Sequence, residues 1–454
     1  MISGKGSGSM PLRKWLVLIL FGLIGQIAWN VENMHFNLFV FESFNGNLDA
    51  VTLMVQLSGI TATVATLLAG ALSDKLGNRR YFISFGYIIW GVTVAIFGFL
   101  SPEIISKIFG LDYSAAMRAG VVAVIVGDCI MTLFGSSAND SGFNAWVTDN
   151  TESSYRGRVE GVISVLPLGA MLIVAGGFGM LVEAMGYATV FLILGIVISL
   201  SGVLGIFIIK DSDTLVKNGG FKDIFYGFRP SVVKGNGSLY IAFICLVIYS
   251  TAFQFFMPYL IIYMKHNLGF SAAEYSVAFG LAIIVGGAIN IFLGGLADRH
   301  NKAALLYIAT PVMAVGLLAM YFVRITEGVA DLLLFALFGC IMISGYIFIS
   351  ALLGAIIRDC TPKESAGKLQ GVRMVFAVLI PMVLGPMVGN LINRARGVVL
   401  ENPGEDAMTT EYLPAPEIFL AGCVGVLIML AVIPWLKKSL SKSEKERENN
   451  DFSI

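Results

Sequence analysis

Twelve long apolar runs, separated by short polar turns, fill this chain from residue 15 to residue 437. Each is long enough to cross about 30 Å of hydrocarbon as a helix rising 1.5 Å per residue. In hydrocarbon every backbone N–H and C=O must find a partner inside the segment, which requires helices. The ten-residue alternating segments of a membrane barrel do not occur. Composition agrees: 57% of the 454 residues are hydrophobic and 13% charged, against about 25% charged in soluble domains. A chain this apolar cannot cover a soluble surface, so its outer face must meet lipid. The expected fold is an all-α membrane protein with twelve transmembrane helices, multi-pass in the cell (plasma or inner) membrane.

Other classes are excluded by what is missing. Formal net charge is zero, which gives no basic surface for nucleic acid. Five cysteines, Cys129, Cys245, Cys340, Cys360 and Cys423, form no CxxC pair, and His35, His266 and His300 are too scattered for a metal site. No HExxH, GxSxG or P-loop occurs, so neither an enzyme nor an ATP-driven pump is expected, and no cofactor.

Lys and Arg set the expected orientation. With the N-terminus in the cytoplasm, 23 of the 30 fall on the inside, 6 on the outside, and Arg373 inside a helix. Both termini are then cytoplasmic. Residues 1–14 read as a cytoplasmic leader, since the apolar run that follows is too long for a secretory signal. Residues 15–209 form an N-terminal six-helix half, 210–237 a polar cytoplasmic linker, 238–437 a C-terminal six-helix half and 438–454 a charged cytoplasmic tail expected to be disordered.

Two segments recur. Asp149-Asn-Thr-Glu-Ser-Ser-Tyr-Arg-Gly-Arg-Val-Glu-Gly-Val162, after span four, aligns with Asp359-Cys-Thr-Pro-Lys-Glu-Ser-Ala-Gly-Lys-Leu-Gln-Gly-Val372, after span ten, at an offset of 210. Gly70-Ala-Leu-Ser-Asp74-Lys75 aligns with Gly294-Gly-Leu-Ala-Asp298-Arg299 at an offset of 224. The halves are therefore parallel repeats, related by an axis along the membrane normal.

The run Gly70-Ala-Leu-Ser-Asp74-Lys75-Leu-Gly77-Asn-Arg79-Arg80 resembles the loop signature of the major facilitator superfamily, Gly-x-x-x-Asp-(Arg/Lys)-x-Gly-x-(Arg/Lys)-(Arg/Lys), with every defined position filled. Asp298 belongs to a degenerate second copy, and Arg156-Gly157-Arg158 resembles the family's loop between spans four and five. The resemblance implies two parallel six-helix repeats and gating roles for Asp74, Gly77, Arg79, Arg80, Asp298, Arg156 and Arg158. Gly77 allows a turn with positive φ, and Asp74 can accept from the free N–H groups of a helix start, by resemblance that of span eleven near Gly367. Arg373, near the inner end of span eleven, is a further gate candidate.

Polar groups in hydrocarbon are costly and mark function. Gln26, Asn30, Asn33 and Asn37 in span one are spaced 4, 3 and 4 apart, which puts them on one helical face, towards a central cavity or another helix. Under the 224 offset Asn30 corresponds to Gln254 in span seven. Amides suit a neutral, hydroxyl-rich solute, and Trp29, with Phe253, Phe256 and Tyr259, offers apolar faces to a sugar ring or simply packs. Glu32 in span one and Asp128 and Asp140 in span four are candidates for coupling to a cation. A carboxyl removed from water can carry a proton, or join other oxygens around Na⁺.

The expected function is secondary active transport of a small polar organic solute, such as a sugar or glycoside, coupled to H⁺ or Na⁺. Spans one and four distantly resemble the melibiose-permease-type sugar–cation symporters, although span two lacks that branch's paired acids. Proton-coupled export of drugs or metabolites is the alternative. Leu384-Gly-Pro386-Met-Val-Gly389 partly resembles the family's exporter motif, but in span eleven rather than span five. The partners expected are the solute, the cation and the lipid bilayer, with a monomer as the working unit.

Overall fold

The computed structural model describes residues 10–152, 156–212, 225–323, 329–362, 366–400 and 411–451, without the side chains of 74, 157, 294–299, 329, 366–368, 370 and 443–451. Eleven helices among the described residues are long and apolar enough to cross a membrane. One of them, Arg158–Ile208, is two spans in one. Gly186, at φ 79° and ψ 159°, breaks it without any intervening loop. That conformation is open to glycine and closed to residues with a Cβ. The spans therefore number twelve: Leu12–Ser43, Leu48–Leu76, Arg79–Phe97, Tyr113–Asn150, the pair 156–185 and 187–208, Gly237–Asn267, Ala272–Arg299, Lys302–Phe322, Val329–Cys360, Ala366–Arg396 and Glu417–Asp451.

Several spans are not uniform α-helix. Five π-helical segments lie within them: Glu32–Phe36, Ser136–Phe143, Val174–Phe178, Tyr263–Asn267 and Val375–Leu379. Such wide turns are uncommon and concentrate where function demands them. The last helix runs on to Asp451, where the sequence predicts a disordered tail from residue 438. After Pro434 the run is free of Pro and Gly and rich in Lys and Glu, which hold helix well once a span has nucleated it.

The chain forms two compact units, Met1–Phe44 with Ile60–Phe221, and Asn45–Gly59 with Lys222–Ile454. In the first, span one packs on span five, and span three on spans four and six. In the second, span seven packs on span eleven, and span nine on spans ten and twelve. These are the same pairs six spans on, as parallel repeats require. Local chemistry repeats as well. Asn78 Oδ1 caps the start of span three by accepting from Tyr81 N at 3.2 Å, and Asn301 Oδ1 caps span nine by accepting from Ala304 N at 3.1 Å. Arg79 pairs with Asp149 at 3.1 Å, and Lys302 with Asp359 at 2.5 Å.

In the second unit the first turns of span two lie against span eleven. Asp49 accepts from Asn390 Nδ2 at 2.6 Å, from Arg394 Nε at 3.1 Å and from the Arg394 terminal nitrogen. Thr52 Oγ1 is 2.7 Å from the Tyr259 hydroxyl, which donates to Pro386 O at 2.9 Å. Gln56 Nε2 donates to Val383 O at 2.8 Å. Positions 49, 52 and 56 share a helical face, so the contacts form one continuous polar seam.

Candidate functional site

The polar side chains of spans one and four meet in the first unit. Asn30, Asn33 and Asn37 each turn their amide N–H back to the carbonyl four residues earlier, on Gln26, Trp29 and Asn33, at 2.7, 2.7 and 2.8 Å. Gln26, Trp29, Asn30 and Asn33 are half-buried and Asn37 is buried. The π-helical turn at Glu32–Phe36 contains Asn33 and separates Asn37 from Gln26 and Asn30.

Two buried acids lie deeper. Glu32 accepts from the Thr132 hydroxyl at 3.1 Å. Asp128 precedes Thr132 by one helical turn, and both acids act electrostatically on Cys129. Glu32 is 6% exposed and Asp128 1%, so both carboxyls, carried on two helices, are sealed from bulk water.

Asp140 lies further along span four, within the π-helical Ser136–Phe143, and is half-buried. Asn139 Nδ2 donates to its Oδ1 at 3.2 Å. The Trp29 indole N–H and the Ser136 hydroxyl lie beside the same carboxyl without closing a hydrogen bond. Trp29 is fixed by Trp90, centroids 5.0 Å apart, and Tyr87 joins the cluster from span three through Asn139. The structure thus gathers Trp29, Glu32, Asp128 and Asp140 on neighbouring helices of one unit. Gln254 belongs to the second unit, half-buried, with its main chain and Cβ pressed against Gly385.

The loop residues form a separate cluster. Gly77 has φ 62°. Arg79, 5% exposed, donates to Asp149 and to Ser73. Arg80 donates to Ile206 O. The carboxylate at a helix start here is Asp211, which accepts from Arg79 N at 3.0 Å and Arg80 N at 2.9 Å and so satisfies free N–H groups at the positive end of span three. Arg156, Arg158 and Arg373 are exposed. The side chains of Asp74 and Asp298 lie outside the described residues, as do the surroundings of Gly367.

Sequence reasoning passed over Thr132, Tyr87, Asp211 and the Asp49–Arg394 seam. Nothing in span three marks Tyr87, which shares it with the hydroxyls of Tyr81, Ser84 and Thr93. Nothing local marks Asp211, whose partners are 131 and 132 residues away. A surface groove of about 430 Å³ beside spans three and six, lined by Gly91, Ala95, Phe99, Leu192 and Leu200, is apolar and contains none of the carboxyls.

A sequence model of the Major Facilitator Superfamily matches residues 16–386, and a second match covers 242–452. The chain belongs to the major facilitator superfamily. Its fold is shared with solved transporters of this superfamily along nearly the whole length. The D-xylose-proton symporter superposes with a TM-score of 0.70 at 14% identity, covering 93% of this chain and 97% of that one. The nucleoside transporter NupG gives 0.61 at 11% identity, covering 94% and 99%. A bacterial homologue of the human lysosomal transporter Spinster, inward-facing and occupied, gives 0.64 at 15% identity, covering 95% and 98%. In sequence the chain is 23% identical over 318 residues to a multi-drug resistance efflux pump PmrA homologue of Lactococcus lactis subsp. lactis (strain IL1403), covering 66% of this chain and 75% of the relative. This is a multi-pass membrane protein of a transporter family whose substrates are small molecules.

Proposed function

We propose that the protein is a secondary active transporter and not an enzyme. It moves a small polar organic solute, of the sugar or glycoside class, across the cell membrane by alternating access, driven by H⁺, with both termini in the cytoplasm. The observation that carries this reading is the set of carboxyls on spans one and four, Glu32, Asp128 and Asp140, held among hydroxyl, amide and indole groups at membrane depth. Carboxyls kept from water take up and release a proton as their hydration changes. Protons are favoured over sodium because Asn139 and Trp29 present N–H groups to Asp140, and an N–H cannot ligate a cation. Gln26, Trp29, Asn30, Asn33, Asn37 and Gln254 are assigned to the solute, whose hydroxyls can use side-chain carbonyls left free by the back-bonded amides.

Solute and proton must each discriminate between the two orientations of the carrier, or no gradient is used. Gly77, Arg79, Arg80, Arg156 and Arg158, together with Asp74, Asp298 and Arg373, are assigned to that conformational change. The test uses proteoliposomes with an imposed pH or sodium gradient and labelled xylose, glycosides and nucleosides. Wild-type protein should concentrate one of them under the pH gradient, while Glu32→Gln and Asp140→Asn should keep exchange and lose uphill uptake. Normal uphill uptake by both variants rejects the coupling assignment.

A second reading, proton-coupled export of drugs or metabolites, draws support from the similarity to the efflux pump. Gradient-driven expulsion of ethidium, with no accumulation of any sugar, would favour it.

A further inference from the structure

A chain of hydrogen bonds links the Asp140 carboxyl to span one through Asn139 and Tyr87. The Tyr87 hydroxyl lies 2.8 Å from Phe21 O and 2.8 Å from Asn139 Oδ1. Both are acceptors, and a phenol has one proton to give. Asn139 spends an N–H on Asp140 Oδ1, the orientation that an acceptor-only carboxylate requires. Tyr87 is 0% exposed and Asn139 3%, so water does not enter this chain of groups. The phenol proton is divided between Asn139 Oδ1 and Phe21 O, which also accepts along its own helix from Gly25 N.

Protonating Asp140 changes the count. The acid O–H now needs an acceptor. Asn139 supplies one by reversing its amide, which points Oδ1 at Asp140 and Nδ2 at the Tyr87 oxygen. Tyr87 then gives its single proton to Phe21 O alone. It donates to Phe21 O while accepting from Asn139, and its proton is no longer divided. We infer that Asn139 and Tyr87 are positioning residues that relay the protonation state of Asp140 to the main chain of span one at Phe21, through reversal of the Asn139 amide. The proton-loaded state clamps span three to span one by an undivided Tyr87–Phe21 bond, and loss of the proton loosens that clamp. The inference rests on the coupling role proposed for Asp140.

Span one brings Trp29 to Asp140, span three brings Tyr87, and span four itself brings Ser136 and Asn139. The other acids of spans one and four are engaged elsewhere: Glu32 with Thr132, Glu42 with Tyr187, and Asp149 with Arg79, while Asp128 lies on the Glu32 side, next to Cys129. Of the cations at the ends of these spans, Arg13 donates to Ile208 O, Lys14 to Asn150 O, Arg80 to Ile206 O and Arg118 to the Ser114 hydroxyl. From span two, Ser141 meets Gly70, which carries no charge.

Infrared difference titration of the full chain in lipid nanodiscs, without solute, tests the relay. The carboxyl band lost in Asp140→Asn identifies the group. In Tyr87→Phe the protonated state loses two hydrogen bonds and the ionised state about one, so the Asp140 midpoint should move about half to one pH unit lower. A purely structural Tyr87 would lower thermal stability and leave the midpoint where it was, which overturns the inference. Wild-type protein labelled with ¹⁵N-asparagine gives a second reading that does not depend on the variant folding. One side-chain amide band should change with the same midpoint as the carboxyl, and a silent amide region also overturns the inference. If no carboxyl band vanishes in Asp140→Asn, the coupling role itself fails, and that result is distinct from a relay that fails while Asp140 titrates.

Discussion

Gly195→Ala should drive spans three and six apart. A Cβ built at Gly195 overlaps Gly91 O and lies 2.6 Å from Ala95 N and 2.7 Å from Ala95 Cβ. Two of these three neighbours are backbone atoms, so no side chain can swing aside. Restoring ordinary contact requires the helices to part by up to about 1 Å, and inserting one methyl into such packing costs about 1–3 kcal/mol. The Ser199 hydroxyl donates to Ile88 O at 3.0 Å across the same crossing. The displacement stretches that bond past its useful range and removes a further ~0.5–1.5 kcal/mol. Alanine returns about 1 kcal/mol of helix preference over glycine, which leaves a net loss of about 0.5–3.5 kcal/mol. Gly169→Ala is the control, because a Cβ there meets nothing within 4 Å. Unfolding in mixed micelles with rising SDS, followed by tryptophan emission, measures both variants. Equal midpoints for Gly195→Ala and Gly169→Ala would refute the backbone-to-backbone crossing.

Other perturbations follow from the contacts above. Thr132→Val removes the hydroxyl that donates to Glu32 and should reduce gradient-driven uptake severalfold in proteoliposomes while solute exchange persists. Asp49→Asn and Arg394→Gln should each raise amide hydrogen exchange over residues 48–56 by about fivefold, since an exposed ion pair contributes at most ~1 kcal/mol; the double variant should add little to either single change. Arg79→Gln leaves Asp149 without its guanidinium and, because Arg79 is buried, should destabilise the protein by about 2–4 kcal/mol in the same SDS titration.

The membrane fold could be read from the chain because hydrocarbon leaves a span few choices. Long apolar runs, the lysine asymmetry and two recurring segments sufficed to predict twelve helices in parallel halves. The site was legible in part. Glu32, Asp128 and Asp140 stand out because an acid in an apolar run has no bland surface role. Their partners do not stand out, since Thr132 and Tyr87 are ordinary residues in membrane helices and only the packing brings them to Glu32 and Asn139. The seam at Asp49 joins residues 341 and 345 positions apart, a pairing that neither motif nor periodicity encodes. The charged tail was misjudged for a different reason: its composition suits both a solvated coil and a solvated helix, and the preceding span decides between them. The π-helical turns leave no compositional trace at all.

Those wide turns have a consequence for how the chain tolerates editing. A π-turn holds one residue more than the α-turn it replaces, so removing a single residue from Ser136–Phe143 can heal the helix instead of breaking it. The wide turn and the α-turn that replaces it each close about one full rotation, so the helix beyond the excision would keep nearly its old facing. A shortened span four would still cross the bilayer, with Asp140 now on a regular α-turn. One lost codon can therefore remove the local setting of an acid without unfolding the membrane scaffold that holds it.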